Sequence, residues 1–420
     1  MANSFSKEER VAFDQVFEKF EDGLVTSNLF SKYTLDDVTA ERTGNTIWRP
    51  QPYIAQSFTG LDQSANFNRN YTQLSVPTTL GYSHSVPLTL SATELRDLLQ
   101  EKRLGEAAMQ RLASDINVDC SNLAALTGTV FVKRSAAATG FDDVAACDNA
   151  FNRNGIPMDS RKLLLSSGDY NSMASNLAVA SRSFGNDVSD NALRRAKVGT
   201  LANFETYKLD YAYRKAAAAG SGITLNAANQ YYVPKATTTA ATGEISNVDN
   251  RYQTITVNST TNVAAGDAFT LASVNEVHHI TKADTGSSKT FRVVSVPSST
   301  TLVISPPIIS GGGGSDAELQ YKNCSATPAS NAALTFLNTV AGSVNPFWQA
   351  DAFEIVPGNY RPAEDAGLAI QRATTSNGVT VTMARQGAIG DLSCKYRWDV
   401  FYGLVNKQPE MSGVMMFSQT

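Results

Sequence analysis

Apolar residues recur along this chain at two spacings, three-to-four and two, and the places where one gives way to the other outline its elements. Phe13, Val16, Phe17, Phe20 and Leu24 fall at helical spacing behind a capping-box pair, Ser6 and Glu9, which predicts an amphipathic N-terminal helix. Its other face carries Glu8, Glu9, Asp14, Glu18, Glu21 and Asp22, an acidic surface beside an apolar stripe. From Thr43 to Leu90 the pattern turns polar and aromatic, with Asn66, Asn68 and Asn70 alternating and Gly60 and Gly81 as turn formers. That predicts an extended, two-stranded arm. Ile47 and Trp48 before it, and Val86, Leu88 and Leu90 after it, can anchor the arm, while its tip has little to bury by itself. An isolated hairpin is marginal in water, so such an arm makes physical sense when another subunit supplies the missing contacts.

A second capping-box pair, Ser91 and Glu94, opens a proline-free stretch from Thr93 to Leu126. Leu95, Leu98, Leu99, Ala108, Leu112 and Ile116 trace one face of it, which predicts the longest helix of the chain. Gly105 interrupts that helix at about 1 kcal/mol relative to alanine and marks a bend or a close crossing. Farther on, Phe141 to Phe151 and Ser167 to Ser175 read as helices and Leu163 to Leu165 as a buried strand. Composition shifts near Gly220 to a stretch rich in Thr, Val, Ile and Ser without helical periodicity. Its runs Tyr252–Val257, Asp267–Val274, Thr290–Val296 and Thr300–Ser305 alternate between turn signals, the pattern of an antiparallel barrel or sandwich. Gly311 to Ser315, GGGGS, reads as a flexible segment near its far end. Asn331 to Gly342 then looks helical, followed by a strand at Phe353 to Val356 and a strongly alternating run from Cys394 to Val405. The class is α+β, with one fold interrupted by an inserted β domain.

Length alone calls for two or three domains, or for one carrying an insertion. Charged residues make up 18% of the chain against roughly 25% in soluble proteins, so much of its surface is free to face other protein. A net charge of −4 gives no field for a sequence-specific nucleic-acid binder. Cys120, Cys147, Cys324 and Cys394 lie far apart without a C-x-x-C pair and read as reduced thiols. The first residues, MANSFSKEERVAFDQVF, carry acids where a secretory signal needs a basic and then an apolar stretch, and nothing later approaches the roughly 18 apolar residues of a membrane span. Synthesis in a cytoplasm and no membrane partner are expected. Catalytic chemistry would have to use His84, His278 or His279, and no G-x-S-x-G elbow accompanies them. His278 and His279, adjacent in a predicted strand, point to opposite faces and cannot share a metal. GGGGSDAE lacks the Lys-Ser/Thr of a phosphate loop, and the acid pairs Asp36 with Asp37 and Asp142 with Asp143 read as partners of helix dipoles. No catalytic group, metal or cofactor is expected.

Thr43 to Pro52 (TGNTIWRPQP), Val248 to Val257 (VDNRYQTITV), Asn345 to Val356 (NPFWQADAFEIV) and Arg385 to Glu410 (RQGAIGDLSCKYRWDVFYGLVNKQPE) resemble, in this order, the coat proteins of Lederbergvirus-type short-tailed phages. The resemblance implies the Hong Kong 97-like capsid fold: an N-arm (1–42), an E-loop with flanking P-domain strands (43–90) and a P-domain spine helix (91–126). An A-domain (127–222, and with a hinge 327–394), an inserted β-barrel I-domain (223–326) and a C-terminal P-domain strand and tail (395–420) complete it. It implies a major capsid protein and no enzyme, placed as pentamers and hexamers in an icosahedral shell and assembled in the host bacterial cytoplasm. Its implied partners are a scaffolding protein, a portal protein, a decoration protein and packaged double-stranded DNA as a non-specific interior neighbour. On this reading Asp14, Glu18 and Glu21 of the N-arm receive a basic segment of the scaffolding protein. Phe58, Phe67, Arg69 and Tyr71 of the E-loop contact neighbouring subunits, and Gly105 is the bend of the spine helix. The relatives carry a charged I-domain loop that pairs across a two-fold axis, whereas Ala236 to Asn250 here holds only Glu244 and Asp249, with Arg251 just beyond. Hydrogen bonding by Thr and Asn, or a decoration or loop substitute, would then replace ion pairs. An encapsulin-like compartment shell and a β-rich tail or adhesion protein share parts of this pattern; the β insertion weighs against the first and the long helix against the second.

Overall fold

A computed structural model describes residues 7–33, 45–52, 54–91, 93–94, 98–180, 199–209, 211–360, 368–388, 390 and 392–420. Ser6, Asp36, Asp37 and Leu95 lie outside the described residues. The chain divides into two compact units, one of Met1–Ile47, Pro77–Ser121 and Phe353–Val405, the other of Trp48–Val76, Asn122–Ala352 and Asn406–Thr420.

In the first unit the N-terminal helix α1, Lys7–Gly23, buries Phe13, Val16 and Phe20, as its spacing predicts. Helix α2 runs Leu98–Thr127, and Ala108, Met109, Leu112 and Ile116 form its buried stripe. Ahead of it the Ser91 amide donates to the Glu94 carboxylate at 2.8 Å, half of the predicted capping box. The strand Ser393–Asn406 is the hub of a seven-stranded sheet, antiparallel to Thr380–Ala388 and to Ser75–Leu90. Tyr396, Trp398, Val400 and Tyr402 alternate into the core, while Lys395 and Arg397 stay exposed. Asp119 of α2 fastens helix to sheet: its carboxylate accepts from the Tyr402 hydroxyl and pairs with His84 Nε2, both at 2.7 Å. Burial and that carboxylate push the Tyr402 phenol far above its ordinary range.

Helix α2 runs through Gly105 without interruption. A Cβ there would stand 3.8 Å from the Val16 methyls and 3.9 Å from Trp398, ordinary contact distance, so the glycine marks where α1 crosses and not a site that excludes a methyl. Gly105→Ala is accordingly expected to stabilise the chain by about 0.5–1 kcal/mol, read as a higher denaturant midpoint at unchanged slope; a lower midpoint would mean a tighter crossing.

The second unit contains a six-stranded sheet in the order Val130–Lys133, Ser412–Met416, Asn345–Gln349, Arg161–Ser166, Phe204–Leu209, Thr200–Leu201. Helices α3, Phe141–Asn154, and α4, Ser167–Ala180, fall where periodicity predicts them. They pack on Leu163, Leu165, Phe204, Phe347 and Met415. Arg161 lies fully buried in this core. Its guanidinium pairs with Asp148 and donates to Asn152 Oδ1 at 2.9 Å and to the carbonyls of Ile156 and Pro157 at 2.7 and 2.9 Å. The rings of Phe151 and Phe204 lie 5.3 and 5.8 Å from its carbon.

The predicted β insertion is an antiparallel five-stranded sheet ordered Gln253–Thr256, Thr301–Ser305, Asp284–Ser298, Ala268–Val277, Leu334–Phe336. Residues 223–225 join its two edges, since Leu225 bridges Val257 and Thr224 bridges Ala333. The sheet thereby closes around Leu225, Ile255, Phe269, Phe291, Leu302 and Ile304. Three expectations are corrected here. Asn331 to Gly342 is not helical: Leu334 and Phe336 turn toward the barrel core in a closing strand, because tertiary pairing overrides a helix-like apolar spacing. The β unit also extends past Ala326 to include that strand. Nor is Gly311–Ser315 a loose segment. A Cβ on Gly312 would stand 2.7 Å from Thr327 Oγ1, and one on Gly313 would strike Glu318 and Tyr231, so close packing demands these glycines. Ser315 caps the short helix α5, Asp316–Tyr321, in a capping box with Glu318.

The expected arm is two-stranded only at its base, where Thr46–Pro50 pairs with Ser75–Leu90. Between them the backbone follows a 3-10 turn at Ser64–Asn66 instead of strands. Local side-chain bonds take the place of a ladder: Asp62 accepts from the Ser64 amide at 3.0 Å and Asn66 Nδ2 donates to Gln63 Oε1 at 2.7 Å.

Candidate functional site

Groups that could do chemistry are occupied structurally. All four cysteines are buried and free, and burial pushes the thiols of Cys120, Cys147 and Cys324 well up, the last to about 12. His278 and His279 follow the strand Ala268–Val277 instead of lying in it. His278 Nδ1 accepts from the amides of Ile280 and Thr281 at 3.3 and 3.2 Å, and burial lowers the His279 imidazole to about 4. The glycine loop holds its own anion, since the Glu318 carboxylate accepts from the amides of Gly313 and Ser315 at 3.1 and 3.2 Å. Burial would raise the Glu410 carboxyl, yet its pairing with buried Lys289 holds it below the usual range. Among the described residues no group of three His, Cys, Asp or Glu is placed to hold a metal, and no helix is long and apolar enough to cross a membrane.

What the surface offers is contact. On the loop between the base strands Leu61 is fully exposed and Phe67 is 83% exposed, with Tyr71 and Phe58 exposed beside them. Of the four loop residues singled out in the sequence, Phe67 and Tyr71 face outward, whereas Arg69 turns inward, 4.9 Å over the Phe58 ring and 3.3 Å from Asp316. Leu61 was not anticipated; the signal was a leucine directly after the turn glycine Gly60, where nothing local can bury it. On α1 Asp14 and Glu18 are exposed. Glu21 is engaged within the chain, accepting from the Ser376 amide at 2.9 Å, a bond that lowers its carboxyl below the ordinary range.

Glu244 sits at the tip of an exposed hairpin, Thr237–Thr239 with Ile245–Asn247. Asp249 and Arg251 are instead spent on each other. Arg251 donates to both Asp249 oxygens, at 2.9 and 2.7 Å, and to the Asn406 carbonyl at 2.9 Å, which leaves its side chain nearly buried. The hairpin is thus left with Thr, Ser, Asn and an exposed Ile245 beside a single carboxylate.

Residues 1–418 match the family described as P22 coat protein, gene protein 5. The chain belongs to the P22 coat protein family. It is a major capsid protein of a tailed phage with the Hong Kong 97-like fold, and its place is the virion capsid. Among solved structures it resembles the I-domain of the CUS-3 coat protein at 40% identity, covering 28% of this chain and 99% of that one, with a TM-score of 0.22. A structure from Mycobacterium phage Che8 matches at 10% identity over 93% of this coat protein and 90% of that chain (TM-score 0.46). The mature capsid of bacteriophage PhiM1 matches at 10% identity over 99% and 88% (TM-score 0.45).

Proposed function

We propose that this coat protein builds a procapsid together with a scaffolding protein in the bacterial cytoplasm, around a portal, and that the shell expands as double-stranded DNA is packaged. It carries no catalytic step of its own in this reading. The observation that carries it is the loop that leaves Leu61, Phe67 and Tyr71 bare on a chain of a shell-forming family. Side chains of this size lose about 1.5–3 kcal/mol of favourable burial each when left in water, so they are matched to a neighbouring copy. Many modest contacts of this kind let a misplaced subunit leave, and the lattice gains its strength from their number. The Thr-rich hairpin at Thr237–Asn247 serves as a further contact whose hydrogen bonds need little charge. Electron microscopy of the chain co-expressed with the phage's scaffolding gene tests the reading: closed shells are expected, and persistent monomers would refute it.

Among the N-arm acids whose side chains the structure describes, Asp14 and Glu18 are open to a basic scaffold segment. The Asp14→Ala, Glu18→Ala double variant is expected to bind scaffold more weakly and with a shallower salt dependence, measured by titration at two ionic strengths. Unchanged affinity and unchanged salt response would remove the N-arm from the scaffold interface.

A further inference from the structure

The exposed loop is held from one side by helix α5 through a set of bonds that no backbone ladder provides. Asp316 Oδ1 receives Arg69 Nη1 at 3.3 Å, and its Oδ2 receives the Asn70 amide at 3.1 Å. Its carbonyl receives Gln56 Nε2 at 3.4 Å. One turn on, Gln320 Oε1 receives the Thr72 amide at 3.0 Å, and the Tyr321 hydroxyl donates to the Thr72 carbonyl at 2.8 Å. Gln320 and Tyr321 are themselves buried, and α5 is fixed at its start by Ser315 and Glu318, so the holding groups are rigid. Arg69 relays the hold, since its Nε donates to Asn66 Oδ1 at 3.2 Å and its guanidinium covers Phe58.

We infer that α5 is a clamp that positions the loop for its contact with a neighbouring copy, with Asp316 as the principal positioning residue. The inference rests on the proposed reading of the loop as an intersubunit contact. A loop of this length free to wander would have to be ordered each time a contact formed, and that entropy would weaken every contact in the shell. Held at Asn70 and Thr72, it keeps Phe67 and Leu61 aimed outward before any neighbour arrives.

Asp316→Ala removes the carboxylate while Ser315 and Glu318 still cap α5. In the monomeric variant, amide hydrogen exchange at Asn70 and Thr72 is expected to quicken about tenfold or more, as for loss of a charge-assisted bond, with barrel amides such as Phe291 unchanged. The yield of closed particles on co-expression with the scaffolding gene should fall severalfold. Arg69→Ala, on the loop itself and leaving every residue of α5 in place, should quicken Arg69–Thr72 exchange less and lower the yield in the same direction. Unchanged exchange in both variants overturns the clamp. Quickened exchange with undiminished or greater yield overturns its positioning role. A failure of the loop reading is distinguished separately, because variants at Leu61 and Phe67 would then assemble normally while the exchange result stood.

Discussion

Replacing Arg161 by leucine is expected to cost the folded chain about 3–5 kcal/mol, a large part of the 5–15 kcal/mol that holds an ordinary domain together. The guanidinium is fully buried, and its removal strands Asp148, the side-chain carbonyl of Asn152 and the main-chain carbonyls of Ile156 and Pro157 that it satisfies. It also empties the space over the rings of Phe151 and Phe204. The penalty comes chiefly from what is left unpaired, so Asp148→Leu added to Arg161→Leu should recover part of the loss by removing a carboxylate that has lost its cation and keeps only Asn152 Nδ2 as a donor, at 2.8 Å. Urea unfolding of the monomer and the soluble fraction on expression at two temperatures give the readout. A single variant within about 1 kcal/mol of the parent would show that the buried pair is dispensable.

The opposite separation of folding from assembly is expected on the exposed loop. Leu61→Ser with Phe67→Ser should leave monomer stability within about 0.5 kcal/mol, since neither side chain is buried in the single chain. Closed shells should nonetheless be lost or greatly reduced, because each copy forfeits the same two contacts at every place it occupies. Sedimentation of co-expressed lysates, followed by electron microscopy of the particle fraction, decides the matter; normal shells at normal yield would mean that the loop's apolar tip faces solvent in the capsid.

Much of this was readable in the sequence because strong periodicity survives folding. The stripe of Phe13, Val16 and Phe20, the alternation of Tyr396, Trp398 and Val400, and the barrel strands from Gln253 to Ser305 each lie where spacing places them. Failures came where tertiary contacts decide. Leu334, Leu337 and Val340 recur at helical spacing while Leu334 and Phe336 recur at strand spacing, and the open edge of a barrel chose between them. Four consecutive glycines look like slack, yet Tyr231, Thr327 and Glu318 fill the space where side chains on Gly312 and Gly313 would be. Asp249 and Arg251 are two apart in sequence, and nothing there revealed that they would pair with each other and with the Asn406 carbonyl instead of facing a partner. Asp316 was invisible for the same reason, since its partners lie some 250 positions away, at separations of 246 and 247 residues.

The bridge between Thr224 and Ala333 sets the segment that enters the β-barrel beside the start of its closing strand. A module whose two stalks leave it as close neighbours asks nothing of its host except two adjacent attachment points. Another compact domain with the same stalk spacing could accordingly be grafted between these positions without a change in the sheets on either side of the insertion.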